Sequence, residues 1–236
     1  RGSPMETPET VSAAPPTHDV CRLADLYCET KDRIVGLLTE SAAAQWSQPV
    51  PACPGWSVRD TVAHLIAVAL DLPEGRLTIP PSDAETAEHV RRFDGRAEDE
   101  LLAIWTGATD RLVESAATTG LEPPLGDIAC HEHDIRAALG KPGARDADSV
   151  RWTARQLLAM LEPPVPMRIH TEDGEYRSGP QAGSEIALRS TLFETMRWRL
   201  GRRSRTQLAA MDWTSDPGPV LDHLYVFGPA VTDIIE

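Results

Sequence analysis

Apolar residues recur every three or four positions through most of the first 160 residues, and this spacing predicts amphipathic helices. Stretches rich in proline and glycine separate the helical segments, and SQPVPACPGW at residues 47–56 is predicted to be an ordered loop. Ser57, with Asp60 three residues later, matches a helix-capping pattern. The helices are predicted at residues 20–38, 57–70, 84–92, 98–117, 127–140 and 146–161.

The pattern changes after Pro166. In MRIHTEDGEYRSGP, polar and apolar residues alternate around Asp173-Gly174, which favours a hairpin turn between two short strands. A further helix is predicted over residues 184–200 and ends at Gly201, with one or two short helices in the tail. We therefore expect a mainly α fold, with a metal-binding helical bundle at residues 18–162 and a small α+β C-terminal domain at residues 163–236. Residues 1–17 begin with RGSP, typical of a vector remnant, and are predicted to be a disordered arm.

The composition narrows the classes of partner. The formal net charge of −13 disfavours nucleic-acid backbones and anionic membrane surfaces. No apolar run approaches the ~20 residues that span a bilayer, and no signal peptide is visible. We therefore expect a cytoplasmic protein that has neither nucleic acid nor membrane as a partner. The four cysteines are irregularly spaced and are predicted to be reduced thiols: Cys21, Cys28, Cys53 and Cys130.

The segment GDIACHEHDIRAALG, residues 126–140, holds the candidate chemistry. Asp127 and His131 are four residues apart, so on a helix their side chains share one face and can converge on one point. Both are good zinc ligands, and a catalytic zinc site takes three protein ligands and keeps a fourth position open. The third candidate is His64, because metal sites in helical bundles use inward side chains of facing helices.

Each of these residues also has a purely structural interpretation. Asp127 at a helix start can cap free N–H groups, and His64 on an apolar helix face can be a hydrogen-bonded core residue. Spacing alone leaves both interpretations open. In the same segment, Asp134 is a candidate to orient a ligand histidine through a hydrogen bond, and Glu132 is expected to face solvent.

Three motifs carry a resemblance to a known family: ACPGWSVRDTVAHL at residues 52–65, HEHDIRAALG at residues 131–140 and FETMRWRLGRRS at residues 193–204. They resemble the two bundle motifs and the C-terminal motif of the mycothiol-dependent maleylpyruvate isomerase family, which belongs with DinB-like metalloproteins. The resemblance covers nearly the whole chain after residue 18. It implies a DinB-like antiparallel four-helix bundle that carries a divalent metal, usually zinc, followed by a small C-terminal domain.

The resemblance also implies a ligand set and a co-substrate. The family's metal ligands are one histidine together with an acid and a second histidine four residues apart. In this sequence they match His64, Asp127 and His131. The acid is more often glutamate in the family, and the Asp127 side chain is one methylene shorter than that of glutamate. The implied co-substrate is mycothiol, whose thiol pKa the metal lowers. The thiolate attacks an electrophile such as an activated alkene, and the adduct either rotates from cis to trans and expels the thiol or is released as product.

Arginines form a second candidate group. Arg197, Arg202 and Arg203 surround the turn at Gly201, and a planar guanidinium matches a carboxylate bidentately. They are candidates for catalytic residues that bind an acidic substrate or an acidic part of the thiol cofactor. The alternative is a solvated basic turn at a helix C-terminus. Arg76, in the loop after the His64 helix, is a further candidate for cofactor binding.

Three classes of function follow from these patterns. The first is a metal-dependent isomerase or thiol S-transferase that uses mycothiol on a small electrophile, with a carboxylate as the expected recognition group. The second keeps the metal and drops the thiol, as in a tailoring enzyme of a biosynthetic pathway. The third is a non-enzymatic bundle that binds a small acid or a partner protein and keeps a vestigial metal site. The sequence leaves the oligomeric state open.

Overall fold

The computed structural model describes residues 18–236, so the arm predicted at residues 1–17 lies outside the described part of the chain. The described residues form two compact units: a helical unit, residues 18–153 with Ile234–Glu236, and a C-terminal unit, Ala154–Asp233. The domain boundary that we expected after residue 162 stays a prediction. Within residues 18–236, no helix is both long enough and apolar enough to cross a membrane.

The helical unit is built on four long helices. Its elements are α1 (Val20–Thr39), α2 (Val58–Asp71), α3 (Asp83–Arg91), α4 (Glu98–Thr119), α5 (Leu125–Leu139) and the start of α6 (Asp148–Ala159). Helices α1 and α2 each pack against both α4 and α5, and the shorter α3 packs on α2. The four long helices thus form a bundle in which each has two neighbours, and the predicted helical bundle is confirmed.

Local signals set the ends of the helices that matter here. The Ser57 hydroxyl accepts a hydrogen bond from the Asp60 N–H at 3.2 Å, and the Asp60 carboxylate accepts one from the Ser57 N–H at 2.8 Å. This reciprocal cap fixes the start of α2, as predicted. Helix α5 begins at Leu125, two residues before the predicted start, and it ends as predicted at Gly140, which has the left-handed φ of 62°.

The core of the helical unit is mainly aliphatic, in keeping with an aromatic content of only 5%. Two large aromatic side chains are fully buried in it, Tyr27 and Trp105. The Trp105 indole N–H donates to the Tyr27 hydroxyl at 3.1 Å. The indole N–H and the hydroxyl are therefore each other's hydrogen-bond partners, which removes most of the free-energy cost of burying them.

The C-terminal unit contains a small mixed sheet. Its strands are β1 (Met167–Thr171), β2 (Gly174–Ser178), β3 (Ile186–Arg189) and β4 (Asp212–Trp213), in the order β2-β1-β3-β4. Strands β1 and β2 form the predicted antiparallel hairpin, with Thr171 opposite Gly174. Strand β3 pairs parallel to β1 and antiparallel to β4. The mainly α fold with a small α+β C-terminal part is confirmed.

The helix predicted over residues 184–200 is wrong in its first half. Residues Ile186–Arg189 form β3, and only α7 (Leu192–Arg199) is helical, with Thr191 as its N-cap. The apolar run in β3 suits either structure, and pairing with β1 decides for the strand. A short helix α8 (Arg205–Ala209) follows. Between them, Gly201 has φ 77°, and a Cβ there would lie 2.5 Å from the Gly228 carbonyl oxygen, so the turn requires glycine.

Candidate metal centre

Helices α2 and α5 bring the three predicted ligands together. His64 lies two turns into α2, while Asp127 and His131 lie in the first and second turns of α5. The Asp127 Oδ1 atom is 3.4 Å from His64 Nε2 and 3.3 Å from His131 Nε2. One ligand atom from each residue lies within 4.8 Å of the others. We call these three residues the candidate centre.

The second carboxylate oxygen of Asp127 is the notable feature of this centre. Asp127 Oδ2 is buried and has no hydrogen-bond partner. An unsatisfied buried oxygen raises the free energy of a folded protein by about 1–3 kcal/mol, more for a charged group. The carboxylate does not cap the start of α5; it points to the histidines. The donor set of two imidazole nitrogens and a carboxylate is one that zinc and related divalent ions accept, so the residues fit a metal.

The electric field in the centre favours a cation. Burial acts to raise the pKa of Asp127, but His64 and His131 outweigh it and hold that pKa far below its ordinary value. Burial likewise acts to lower the pKa of His131, but the Asp127 and Asp134 carboxylates outweigh it, and the pKa is raised. A proton on His131 and a metal ion are thus alternative cations for the same negative site.

His131 has an outer partner on its own helix. Its Nδ1 atom donates to Asp134 Oδ2 at 2.9 Å, and Asp134 is fully buried. The predicted hydrogen bond between Asp134 and a histidine of this segment is therefore present. Because Nδ1 carries the proton in this bond, Nε2 is the nitrogen left to face Asp127 and a metal.

Two residues of the loop before α2 border the centre. The Trp56 ring centroid lies 5.2 Å from that of His64 and 6.3 Å from that of His131. The Cys53 sulfur lies 3.9 Å from His131 Nδ1 and 3.5 Å from Asp134 Oδ2. The sequence shows no basic residue beside Cys53, and only the fold brings the thiol and the histidine together.

His89 of α3 also contacts the candidate centre, and its place there is not predicted by the sequence. Its side chain is buried, and its Nδ1 atom lies 3.2 Å from His64 Nδ1. Its Nε2 atom lies 3.6 Å from Asp71 Oδ2. Burial, the largest cause, lowers the pKa of His89, and the nearby His64 lowers it further. No motif marks His89, since α3 is short and polar and the contact joins two helices.

The sequence places the chain in a known protein family. The sequence model of a family described as "Mycothiol maleylpyruvate isomerase N-terminal domain" matches residues 29–153, more than half of the chain. The chain belongs to this family. The matched part of the isomerase N-terminal domain contains the whole candidate centre, together with His89 and Asp134.

Solved structures share the fold of this family member. A crystal structure of the mycothiol-dependent maleylpyruvate isomerase has 16% identity and a TM-score of 0.52, and covers 77% of this chain and 88% of that one. A histidine-to-alanine mutant of the mycothiol-dependent maleylpyruvate isomerase has 15% identity, a TM-score of 0.55 and the same coverage. No curated protein sequence matches the chain.

The four predicted arginines of this family member each have hydrogen-bond or ion-pair partners of their own. Arg76 is mostly exposed and donates from Nη2 to Asp71 Oδ1 at 3.0 Å. In the C-terminal unit, Arg197 is fully buried, and Arg203 is buried and donates to both oxygens of Glu194 at 2.7 and 2.9 Å. Arg202 is half-buried and donates to the Leu200 carbonyl at 2.8 Å. Their roles in binding a cofactor or a carboxylate stay predictions.

One expectation for α5 is wrong. Glu132, expected to face solvent, is fully buried. Its carboxylate accepts from Arg33 of α1 at 2.8 and 2.9 Å and from Arg136 of α5 at 2.9 and 3.0 Å. The ion pairs explain the burial, because a charged group stays inside a protein only when it is paired and hydrogen-bonded.

Proposed function

We propose that this protein is an enzyme that uses mycothiol and a divalent metal, with zinc the first choice, to isomerise an electrophilic small molecule or to transfer the thiol to it. Membership of the mycothiol maleylpyruvate isomerase N-terminal domain family supports the thiol and the reaction class. The solved structures with the same fold carry the mycothiol-dependent maleylpyruvate isomerase name. The proposed electrophile is a cis-alkene carboxylate, which the last experiment of this subsection tests.

One observation carries the metal part of the proposal. A single carboxylate oxygen of Asp127 faces Nε2 of two buried histidines at 3.3 and 3.4 Å, and its other oxygen is buried without a partner. A mere helix cap would direct the carboxylate to backbone N–H groups. Three converging ligand atoms and one carboxylate oxygen without a hydrogen-bond partner suit a bound cation.

The chain's residues have separate tasks in this proposal. His64, Asp127 and His131 would hold the metal, which when bound lowers the pKa of a coordinated thiol so that a thiolate exists at neutral pH. Asp134 holds the His131 ring through the 2.9 Å hydrogen bond. The Trp56 ring lies beside both histidines and adds an apolar surface to the site, which strengthens the local electrostatics.

The proposed reaction needs only the thiol as co-reactant. The thiolate sulfur of mycothiol adds to one carbon of the substrate's cis double bond. Rotation about the resulting single bond follows, and expulsion of the thiolate re-forms the double bond in the trans geometry. Among the C-terminal arginines, Arg202 is the first candidate to bind a carboxylate, because Arg197 and Arg203 are more deeply buried.

Elemental analysis tests the metal. The parent protein and His131→Ala are purified without chelators, with His170→Ala as the matched control because His170 lies in β1 outside the centre. We expect about one metal ion per chain for the parent and the control and a loss of that metal in His131→Ala. A parent that takes up no zinc, nickel or iron on reconstitution would overturn the metal proposal.

Calorimetry tests the thiol. We expect mycothiol to bind the metal-loaded parent and to show no binding to the metal-free protein. Absence of binding by the metal-loaded protein would overturn the thiol part and would favour the thiol-independent tailoring reaction. Incubation with mycothiol and a cis-alkene carboxylate then separates isomerase from transferase, since the first returns the thiol and the second consumes it.

A further inference from the structure

We propose that His89, held by Asp71, is a positioning residue that fixes the tautomer and the ring orientation of His64. This inference rests on the proposed function in one respect, namely that His64 is a metal ligand. It concerns α3, which contributes no residue to the candidate centre. Its basis is the contact between two buried imidazole rings.

The contact between the rings permits only one kind of arrangement. His64 Nδ1 and His89 Nδ1 are 3.2 Å apart, and the ring centroids are 5.3 Å apart with an interplanar angle of 38°. Both residues are buried. At this distance one nitrogen must donate and the other must accept, because two N–H groups or two lone pairs facing each other would repel.

The candidate centre sets the direction of that bond. His64 Nε2 faces Asp127 Oδ1 at 3.4 Å and must offer a lone pair to a metal. A neutral imidazole carries its single proton on the other nitrogen, so His64 Nδ1 donates and His89 Nδ1 accepts. The proton of His89 then lies on Nε2, which faces Asp71 Oδ2 at 3.6 Å. The carboxylate favours the proton on that nitrogen through its charge.

Asp71 is itself held in place by two arginines. Arg92 donates to its two oxygens at 3.0 and 2.8 Å, and Arg76 donates to Oδ1 at 3.0 Å. Burial acts to raise the pKa of Asp71, but the hydrogen bonds from Arg92 and Arg76 outweigh it and lower the pKa. The carboxylate is therefore ionised and fixed, as a partner that selects one tautomer of His89 must be.

A second metal site at this position is a poor alternative. Oxygens of Asp71 and Glu88 and a nitrogen of His89 do lie close enough to share an ion. However, the Arg92 guanidinium already bridges the two carboxylates, with contacts of 2.8 and 3.0 Å to Asp71 and 2.6 and 3.0 Å to Glu88. A guanidinium in the place of a cation opposes a metal there, and leaves His89 as a hydrogen-bond partner of His64.

The two histidines of the centre thus have different outer partners. His131 donates to the carboxylate of Asp134. His64 instead donates to the neutral imidazole of His89, which in turn faces the carboxylate of Asp71. Outer partners of metal ligands fix their orientation, and their loss lowers metal affinity about 10–100-fold. The same range is expected for the loss of the His89 acceptor.

Three variants test the inference. His89→Leu removes the acceptor, His89→Gln offers an amide oxygen to His64 Nδ1 and an amide N–H to Asp71, and Asp71→Asn removes the charge while keeping His89. Zinc affinity is measured by competition with a chromophoric chelator, and the tautomer of His64 is measured by ¹⁵N NMR of the metal-free protein. Thermal unfolding of each variant reports whether it is folded.

We expect His64 in the metal-free parent to carry a proton on Nδ1, the nitrogen that faces His89. In His89→Leu this preference is lost, and zinc affinity falls about 10–100-fold. His89→Gln restores both, and Asp71→Asn gives an intermediate result. If His89→Leu does not fold, the comparison of His89→Gln and Asp71→Asn with the parent decides.

Parent-like affinity and an unchanged proton on His64 Nδ1 in His89→Leu, or a His64 Nδ1 that carries no proton in the parent, would overturn the assignment of His89. The NMR measurement needs neither metal nor thiol. Failure of the proposed function, seen as absence of metal from the parent, is therefore distinguishable from failure of this inference.

Discussion

Asp127 is the residue on which the candidate centre depends, because it carries the only negative charge in the set of three. We expect Asp127→Asn, which keeps the shape and removes the charge, to lower zinc affinity by about tenfold or more, since even the loss of an outer partner has that effect. Chelator competition measures the change. Asp110→Asn, on an exposed position of α4, is the control, and equal affinities for the two variants would contradict the role of Asp127.

The residues of the centre differ in how far the sequence reveals them. The spacing of Asp127 and His131 encodes a shared helix face, so their convergence could be predicted. His64 could be proposed only with the resemblance, because spacing left a core histidine equally open. His89 and Cys53 could not be found, since their contacts join residues 25 and 78 positions apart and depend on how the elements pack.

At the scale of single elements, α5 depends on the ion pairs of Glu132. We expect Glu132→Gln to lower the free energy of unfolding by about 2–4 kcal/mol, because it leaves Arg33 and Arg136, both largely buried, without their anion. Urea titrations followed by tryptophan fluorescence measure this change.

The control for that measurement is Glu100→Gln on α4. Glu100 pairs with Arg96 at 3.6 Å, and both side chains are more than half exposed, so we expect a change below about 0.5 kcal/mol. A similar small effect for Glu132→Gln would show that the buried pairs add little to stability.

The elements themselves follow the sequence where the signal is local. The capping pair Ser57 and Asp60, the hairpin at Asp173 and the end of α5 at Gly140 are all present. Strand β3 is missed because a run such as IALR suits a helix or a strand, and its partner β1 lies some twenty residues earlier. Glu132 was misjudged for the same reason, since Arg33 is 99 positions away.

At the scale of the whole molecule, carboxylates with lowered pKa make the fold sensitive to acid. Burial acts to raise the pKa of Asp173, but the Thr171 hydroxyl and the Arg155 guanidinium outweigh it and hold that pKa below the ordinary 3.8. Stability from this group is therefore fully present above 3.8 and is lost as the pH falls through the lower native value. Asp71 and Asp127 act in the same direction.

Asp173→Asn tests this linkage. We expect the variant to be less stable than the parent by about 1–3 kcal/mol at neutral pH, because it loses hydrogen bonds to a charged group. The difference should stay constant down to pH 3.8 and then narrow as the parent carboxylate takes up its proton. Urea titrations across this pH range measure it, and a difference that grows in acid would contradict the lowered pKa.

The burial of α5 has a consequence for how its sequence can vary. Every residue from Ile128 to Ile135 is buried, in an unbroken run that includes two histidines and two acids. A helix with one buried face tolerates exchanges at its outward positions and resists them every third or fourth residue. This helix has no outward position in that run. Among natural relatives and in any library of random variants, the tolerated substitutions should therefore leave a solid block at residues 128–135, like the buried run at residues 61–69 of α2, where α1 and α4 show a stripe.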